Sequence, residues 1–231
     1  MNRLVRQFLY PGLLLLTLSL LGGCVSRAPG GPNQTDAATG SEDGRLRTFV
    51  YECADGEAFT LRLEGGKAWL FLHSGTKSLA RIRSGSGAKF SDGIDTYWDK
   101  GGEALFEIGG HVHRDCKKNR RIAVWEDAKL RGVDFRAVGN EPGWLLEIGE
   151  NDRVLFVHDY GQQRNEFALT APSTDNASRT TRYEMQDKAH RLTVTLAGRP
   201  CSDTMSGESF ETTVELVFDG RRLAGCGRAL H

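Results

Sequence analysis

Phe59-Thr60-Leu61-Arg62-Leu63 places an apolar side chain at every second position, the period of a strand with one buried face and one wet face. Gly65-Gly66 follows at once and supplies the positive φ of a tight hairpin, so Lys67 to Leu72 reads as the returning strand. Outward from this hairpin the same grammar continues. Thr48 to Cys53 precedes it, and Lys77 to Ile82, Thr96 to Trp98, Ala104 to Ile108 and His111 to Arg114 follow, with Asp55-Gly56 and Gly109-Gly110 as further turns. Connections this short predict an antiparallel meander that closes into a small barrel.

Between Lys117 and Gly132 the period changes. Ile122, Trp125 and Ala128, with Leu130 near the end, suit one face of a short helix, and Gly132 is a natural stop. Strand signals then return at Trp144 to Ile148, Arg153 to His158, Arg179 to Met185, Arg191 to Leu196 and Glu211 to Phe218, with Gly139-Asn140-Glu141-Pro142-Gly143 and Asp219-Gly220 as turns. The expected fold class is all-β: two small antiparallel barrel or sandwich domains, residues 45–116 and 133–231, joined by a linker helix at 117–132. No repeat relates the two halves.

The first 44 residues follow another logic. Arg3 and Arg6 form a basic front to an apolar run from Phe8 to Leu21, the layout of a secretory signal. The run spans about 14 residues and contains Pro11 and Gly12, whereas a permanent membrane helix needs roughly 20. It therefore reads as cleaved. Its end, Leu21-Gly22-Gly23-Cys24, resembles the bacterial lipobox, in which the signal is cut before a cysteine that carries diacylglycerol. Residues 1–23 are then the signal peptide and Cys24 the lipidated N-terminus. Acyl chains contribute about 0.8 kcal/mol per buried CH₂, so several chains hold a protein without a spanning helix. Val25 stands where inner-membrane retention resembles an aspartate rule, which favours the outer membrane, facing the periplasm. Ser26 to Gly44 is rich in Gly, Ser, Thr, Ala, Asn and Pro, the composition of a flexible tether.

Thirty basic and thirty acidic side chains balance in the whole chain, and loss of Arg3 and Arg6 with the signal leaves a slight acid excess. Nothing in this points to nucleic acid. With Cys24 assigned to lipid, four cysteines remain, an even set that favours disulfides in an oxidising compartment. Of the three pairings four cysteines allow, only Cys53 with Cys116 and Cys201 with Cys226 keeps each bond inside one domain.

The residue chemistry argues against catalysis and implies no cofactor. His111 and His113 would share a strand face, but no acid or cysteine sits at ligand spacing, so exposed strand histidines are the better reading. His158-Asp159 lacks a nucleophile motif. Glu141 and Asp203 suit turns and caps. The basic cluster Lys117, Lys118, Arg120 and Arg121 reads as a solvated face. Two segments do stand out: Ser84-Gly85-Ser86-Gly87-Ala88-Lys89-Phe90 and Tyr97-Trp98-Asp99-Lys100-Gly101-Gly102. Both carry enough glycine to be read as exposed loops or bends.

From Tyr51 to Cys116 the chain resembles the membrane-bound C-type lysozyme inhibitor family. That family's pattern is a Tyr-x-Cys opening, a Ser-Gly-Ala-x-aromatic loop, a Trp-x-Lys-Gly loop followed by Glu-Ala, and a closing cysteine. Tyr51 with Cys53, Ser86-Gly87-Ala88 with Phe90, Trp98 with Lys100-Gly101, Glu103-Ala104 and Cys116 supply each element in order. Phe90 stands where the family commonly has tyrosine, removing one hydroxyl. The resemblance implies a small antiparallel barrel closed by one disulfide, with C-type lysozyme as partner and Ser86 and Lys100 entering its cleft.

Elementary chemistry fits that implication. A retaining muramidase works with two carboxyl groups flanking the scissile bond. Lys100 offers an ammonium with three donors on a long stem, and the Ser86 hydroxyl both donates and accepts. Residues 48–116 carry two more acids than bases, a small aid to long-range steering toward a basic enzyme, so affinity must come mainly from local fit. In the second half, Phe135 to Trp144, Cys201 to Gly207 and Gly225 to Arg228 resemble an uncharacterised domain of proteobacterial envelope lipoproteins, which implies no activity. The rival reading is a non-inhibitory envelope lipoprotein that binds a small apolar ligand or peptidoglycan.

Overall fold

The computed structural model describes residues 47–231; the signal segment, Cys24 and the tether at 26–44 lie outside the described residues. Eight strands come first: β1 (Arg47–Glu52), β2 (Ala58–Glu64), β3 (Lys67–Leu72), β4 (Gly75–Ile82), β5 (Ala88–Ser91), β6 (Thr96–Asp99), β7 (Glu103–Ile108) and β8 (His111–Lys118). Each pairs with the next in antiparallel register, and β8 returns to β1 through Tyr51↔Lys118 and Glu52↔Lys117, closing the barrel. The β2–β3 hairpin has the expected register, with Glu64 opposite Lys67 across Gly65 and Gly66.

Alternation sends Tyr51, Phe59, Leu61, Ala68, Leu70, Leu79, Phe90, Tyr97 and Phe106 inward, all buried. Each fully buried leucine or phenylalanine contributes roughly 1.5–3 kcal/mol relative to exposure. The rings interlock: Phe59 stacks on Phe106 at 4.5 Å, and Tyr97 on Phe106 at 5.0 Å. Cys53 and Cys116 are bonded, joining the end of β1 to β8 across the seam.

Two expectations need correction here. The segment read as a glycine-rich loop at 84–90 is a loop only to Gly87; Ala88–Ser91 is strand β5, paired with both β4 and β6. Glycine density masked a strand of four residues. Arg62, assigned to a wet face, is instead covered: its side chain is 11% exposed and lies 3.6 Å from Asp127.

Asp127 belongs to helix α1 (Arg120–Leu130). Asn119 caps the helix by accepting the Ile122 N–H at 3.1 Å, satisfying one donor that the first turn leaves free. The chain leaves the helix through Gly132 at φ +88°, a conformation that suits glycine. Trp125 and Ala128 form the buried face as the period suggested, whereas Ile122 is 40% exposed. Thr48 Oγ1 donates to Asp127 Oδ1 at 2.6 Å, fastening α1 to β1.

Eleven strands follow: β9 (Phe135–Asn140), β10 (Gly143–Ile148), β11 (Arg153–His158), β12 (Gln163–Ala168), β13 (Ser173–Asp175), β14 (Thr180–Gln186), β15 (Arg191–Ala197), β16 (Cys201–Ser202), β17 (Ser209–Phe210), β18 (Thr212–Phe218) and β19 (Arg221–Ala229). Nine of them make one antiparallel, half-barrel sheet in the order β12-β11-β10-β9-β19-β18-β15-β14-β13, with β16 and β17 as a separate pair. The sheet wraps a core of Trp144, Leu146, Phe156, Phe167, Met185, Leu192, Val194, Val214 and Leu216. Gly139, Asn140 and Gly143, read as turn residues, are strand residues; only Glu141 and Pro142 connect β9 to β10. Cys201 is bonded to Cys226, and that bond lies against Trp125, Phe210 and Leu230 beneath the helix. Closing loops of 63 and 25 residues, the two bonds stabilise the fold by roughly 3–4 kcal/mol each.

Candidate functional site

The two motif-bearing connections meet at one rim of the barrel. Residues 83–87 join β4 to β5, and residues 100–102 join β6 to β7. Because β5 pairs with β6 through Ala88↔Asp99 and Lys89↔Trp98, the end of the first connection and the start of the second are neighbours by register. Gly87 has φ +65°, and a Cβ there would overlap the Asp99 carbonyl oxygen and lie 3.2 Å from the Lys100 Cα. Only glycine allows so close an approach. Trp98 Nε1 donates to the Ser86 carbonyl at 2.9 Å, a direct tie between the connections. Ser84 Oγ donates to the Gly87 carbonyl at 3.1 Å, bracing the first turn internally.

Ser86 and Lys100 are both exposed. The Lys100 ammonium lies over the Trp98 ring, 4.0 Å from its centroid, and the Lys89 ammonium lies 5.1 Å from the same centroid. Neither ammonium has a carboxylate within 4.0 Å among the described residues. The Lys100 N–H donates to the Glu103 carbonyl at 2.9 Å, closing a short turn.

Below the rim sits a polar cluster. Asp99 Oδ1 accepts the Gly101 N–H at 2.7 Å. Its Oδ2 accepts the Lys118 ammonium at 2.9 Å, the Tyr51 hydroxyl at 3.2 Å and the Tyr97 hydroxyl at 3.3 Å. The two tyrosine hydroxyls are 2.7 Å apart. Burial acts to raise the Asp99 carboxyl, but the Lys118 ammonium, the Gly101 N–H and the Tyr51 hydroxyl together hold it below the usual aspartate range. Burial pushes both phenols well above the ordinary tyrosine value, reinforced by the Asp99 charge. Near neutral pH Asp99 is thus a carboxylate and both phenols are neutral. The cluster anchors the turn that carries Lys100 to the barrel wall.

Lys118 therefore leaves the solvated cluster to which the sequence assigned it. Its ammonium also lies 5.1 Å from the Phe49 ring and 5.7 Å from the Tyr51 ring. Parity along β8 carried the signal: Cys116 points inward, so Lys118, two residues on, shares its side. Asp99 could be found the same way from Tyr97. Phe90 is buried against Tyr97, ring centroids 5.7 Å apart.

The remaining candidates are structural. His113 is held by Asp55, Nδ1 to Oδ2 at 2.7 Å, and lies against Phe59 at 4.9 Å; this acid, 58 residues away in sequence, is a partner that local spacing could not reveal. His111 is exposed and belongs to no metal-holding group among the described residues. His158 bonds Asn165 at 3.0 Å. Asp203 accepts the Met205 and Ser206 N–H groups at 3.0 and 2.6 Å and the Asn140 amide at 2.6 Å, the turn role expected of it. Among the described residues no group of three or more His, Cys, Asp or Glu is placed to hold a metal ion, and no helix is long and apolar enough to cross a membrane.

Residues 51–115 match the family described as membrane-bound lysozyme-inhibitor of c-type lysozyme. The matched stretch contains both rim connections and ends before α1, so it leaves β9 to β19 without a counterpart. No curated protein and no solved structure matches the chain.

Proposed function

We propose that this chain is an envelope-anchored inhibitor of C-type lysozyme, acting by occlusion of the active-site cleft with the connections at 83–87 and 100–102. The observation that carries the reading is their adjacency: Ser86 and Lys100, separated by fourteen positions in sequence, stand exposed on abutting turns fastened by the Trp98 to Ser86 hydrogen bond. The family match over residues 51–115 supports the partner. Lys100 meets an ionised carboxylate of the cleft, and the Ser86 hydroxyl donates to or accepts from the second carboxyl group. No covalent step is involved. The barrel interior is filled by its own aromatic side chains, which favours an external contact surface over a small apolar ligand held in a lumen.

Anchoring is part of the same proposal. Cys24 carries the lipid, residues 26–44 hold the barrel away from an outer-membrane surface, and the inhibitor faces the periplasm, where it meets lysozyme that has crossed the outer barrier. Residues 45–116 are the inhibitory part; 117–132 and 133–231 form the rest of the folded chain.

The test is a titration of lysozyme turnover on bacterial cell walls. The purified chain should abolish turnover near equimolar dose. Truncating one partner of a desolvated charged contact costs roughly 2–5 kcal/mol, and a neutral hydrogen bond contributes about 0.5–1.5 kcal/mol. Lys100→Ala should therefore weaken inhibition about thirtyfold or more, and Ser86→Ala about tenfold or less. Turnover unchanged at large excess of the wild-type chain would overturn the proposal, and equal, negligible effects of both substitutions would remove the two turns from the contact.

A further inference from the structure

The Trp98 side chain touches both motif-bearing turns. Its indole N–H holds the Ser86 carbonyl at 2.9 Å, while its ring carries the Lys100 ammonium at 4.0 Å. Lys89 adds a second ammonium at 5.1 Å from the same ring, placed there because Lys89 and Trp98 are register partners on β5 and β6. Two cations share one aromatic ring, and no carboxylate of the chain lies within ion-pair distance of either among the described residues. Lys67 near Trp69 at 6.0 Å is a single cation on another strand and makes no such pair. Two like charges beside one ring raise the local positive potential, so anionic groups arriving from outside are favoured there.

We infer that Trp98, Lys89 and Lys100 form a dicationic platform for two carboxylates of the partner, with Lys89 as a second lysozyme-binding residue and Trp98 as the positioning residue for Lys100 and Ser86. The inference rests on the proposed inhibition of C-type lysozyme and specifies the chemistry of the contact: the enzyme surface must present an acidic group beside the one that Lys100 reaches. The indole limits the conformations of Lys100 before binding, which reduces the ordering cost at the interface. Its N–H keeps the Ser86 turn against the Lys100 turn, so both reach the cleft together.

The experiment uses the full chain in detergent and C-type lysozyme, with inhibition constants measured across a salt series. K89M keeps the aliphatic stem and removes only the charge. It should weaken inhibition about tenfold, the size of one charged hydrogen bond, and flatten the salt dependence. W98F keeps a ring for Lys100 and loses the bond to Ser86, weakening inhibition about fivefold. W98L also loses the cationic contacts and costs about threefold more, and this extra loss should shrink in a K100A background, leaving only the part carried by Lys89. NMR of the free protein supplies a readout independent of lysozyme: the Lys100 and Lys89 ε-methylene protons should be shifted upfield by the indole and return to ordinary positions in W98L. If K89M inhibits as wild type with an unchanged salt dependence, or the W98L loss is undiminished in K100A, the platform is refuted while the inhibitor reading stands. If the wild-type chain does not inhibit at all, both fall.

Discussion

Replacing Lys118 with methionine tests whether the polar cluster beneath the rim anchors the Lys100 turn. Methionine preserves the apolar stem beside Phe49 and Tyr51 and removes the ammonium from Asp99 Oδ2, 2.9 Å away. Breaking a fully buried pair costs about 3–5 kcal/mol, and a hydrogen bond to a charged group contributes about 1.5–3 kcal/mol. The two side chains are 27% and 20% exposed, so solvent screens part of that loss and about 2 kcal/mol is expected. For a folded unit of this size each 1 kcal/mol shifts Tm by roughly 2–4 °C, giving a fall of about 6 °C near neutral pH. The sign with pH follows from the depressed carboxyl of Asp99. Its contribution is present above the ordinary aspartate value of 3.8 and is lost as pH falls through the lower value in the folded state. The difference between wild type and Lys118→Met should therefore be largest near neutrality and close in acid, when Asp99 is protonated in both. Differential scanning calorimetry from neutral pH down to about pH 2 would follow it. A Tm difference below about 1 °C at neutrality, or one that stays constant into acid, would refute the anchoring role.

Further outcomes follow from the same geometry. Gly87→Ala places a Cβ against the Asp99 carbonyl at a left-handed φ, a backbone cost of roughly 1–2 kcal/mol; chemical denaturation should register that loss, and inhibition should weaken more than tenfold as the two turns are driven apart. Tyr51 and Tyr97, both raised by burial from 10.0, keep their stabilising effect below about pH 10 and lose it as pH rises further, because only the unfolded chain ionises freely. Thermal melts above pH 10 should therefore fall steeply, and Tyr97→Phe should make that fall shallower. Cys24→Ser should release the chain from membranes in a fractionation assay while the purified protein inhibits as before.

The barrel was legible because alternation and paired glycines are local signals: Phe59 to Leu63 and Gly65-Gly66 state a hairpin without reference to anything distant. The helix was legible for the same reason, through Trp125, Ala128 and Gly132. Strand β5 was hidden because Ala88–Ser91 follows four residues of glycine and serine, and its strand character depends on having β4 and β6 on either side. The last strand, Arg221–Ala229, was hidden too: Gly225 and Gly227 weaken strand propensity, yet Gly225 is required where a Cβ would run into Trp144 and the Val138 backbone. That is a packing demand, invisible until β9 lies beside β19.

The motifs named Ser86 and Lys100, but the groups that hold them were harder to read. Trp98 is named by the motif, but its tie to the Ser86 turn emerges only when the 83–87 connection folds back beside it. Lys118 looked like one of four solvated bases until Asp99, nineteen positions earlier, drew it inward. Asp127 likewise gave no sign that it would fasten Thr48 and Arg62 of the barrel to the helix. Long-range partners of charged residues set these roles, and periodicity carries no information about them.

Occlusion makes a direct demand on binding equilibria. A short N-acetylglucosamine oligomer that fills the lysozyme cleft should compete with the chain, so the apparent Kd for lysozyme, measured by calorimetry, should rise in proportion to oligomer concentration. A ternary complex of lysozyme, oligomer and chain, with the affinity for the chain unaltered, would contradict the account.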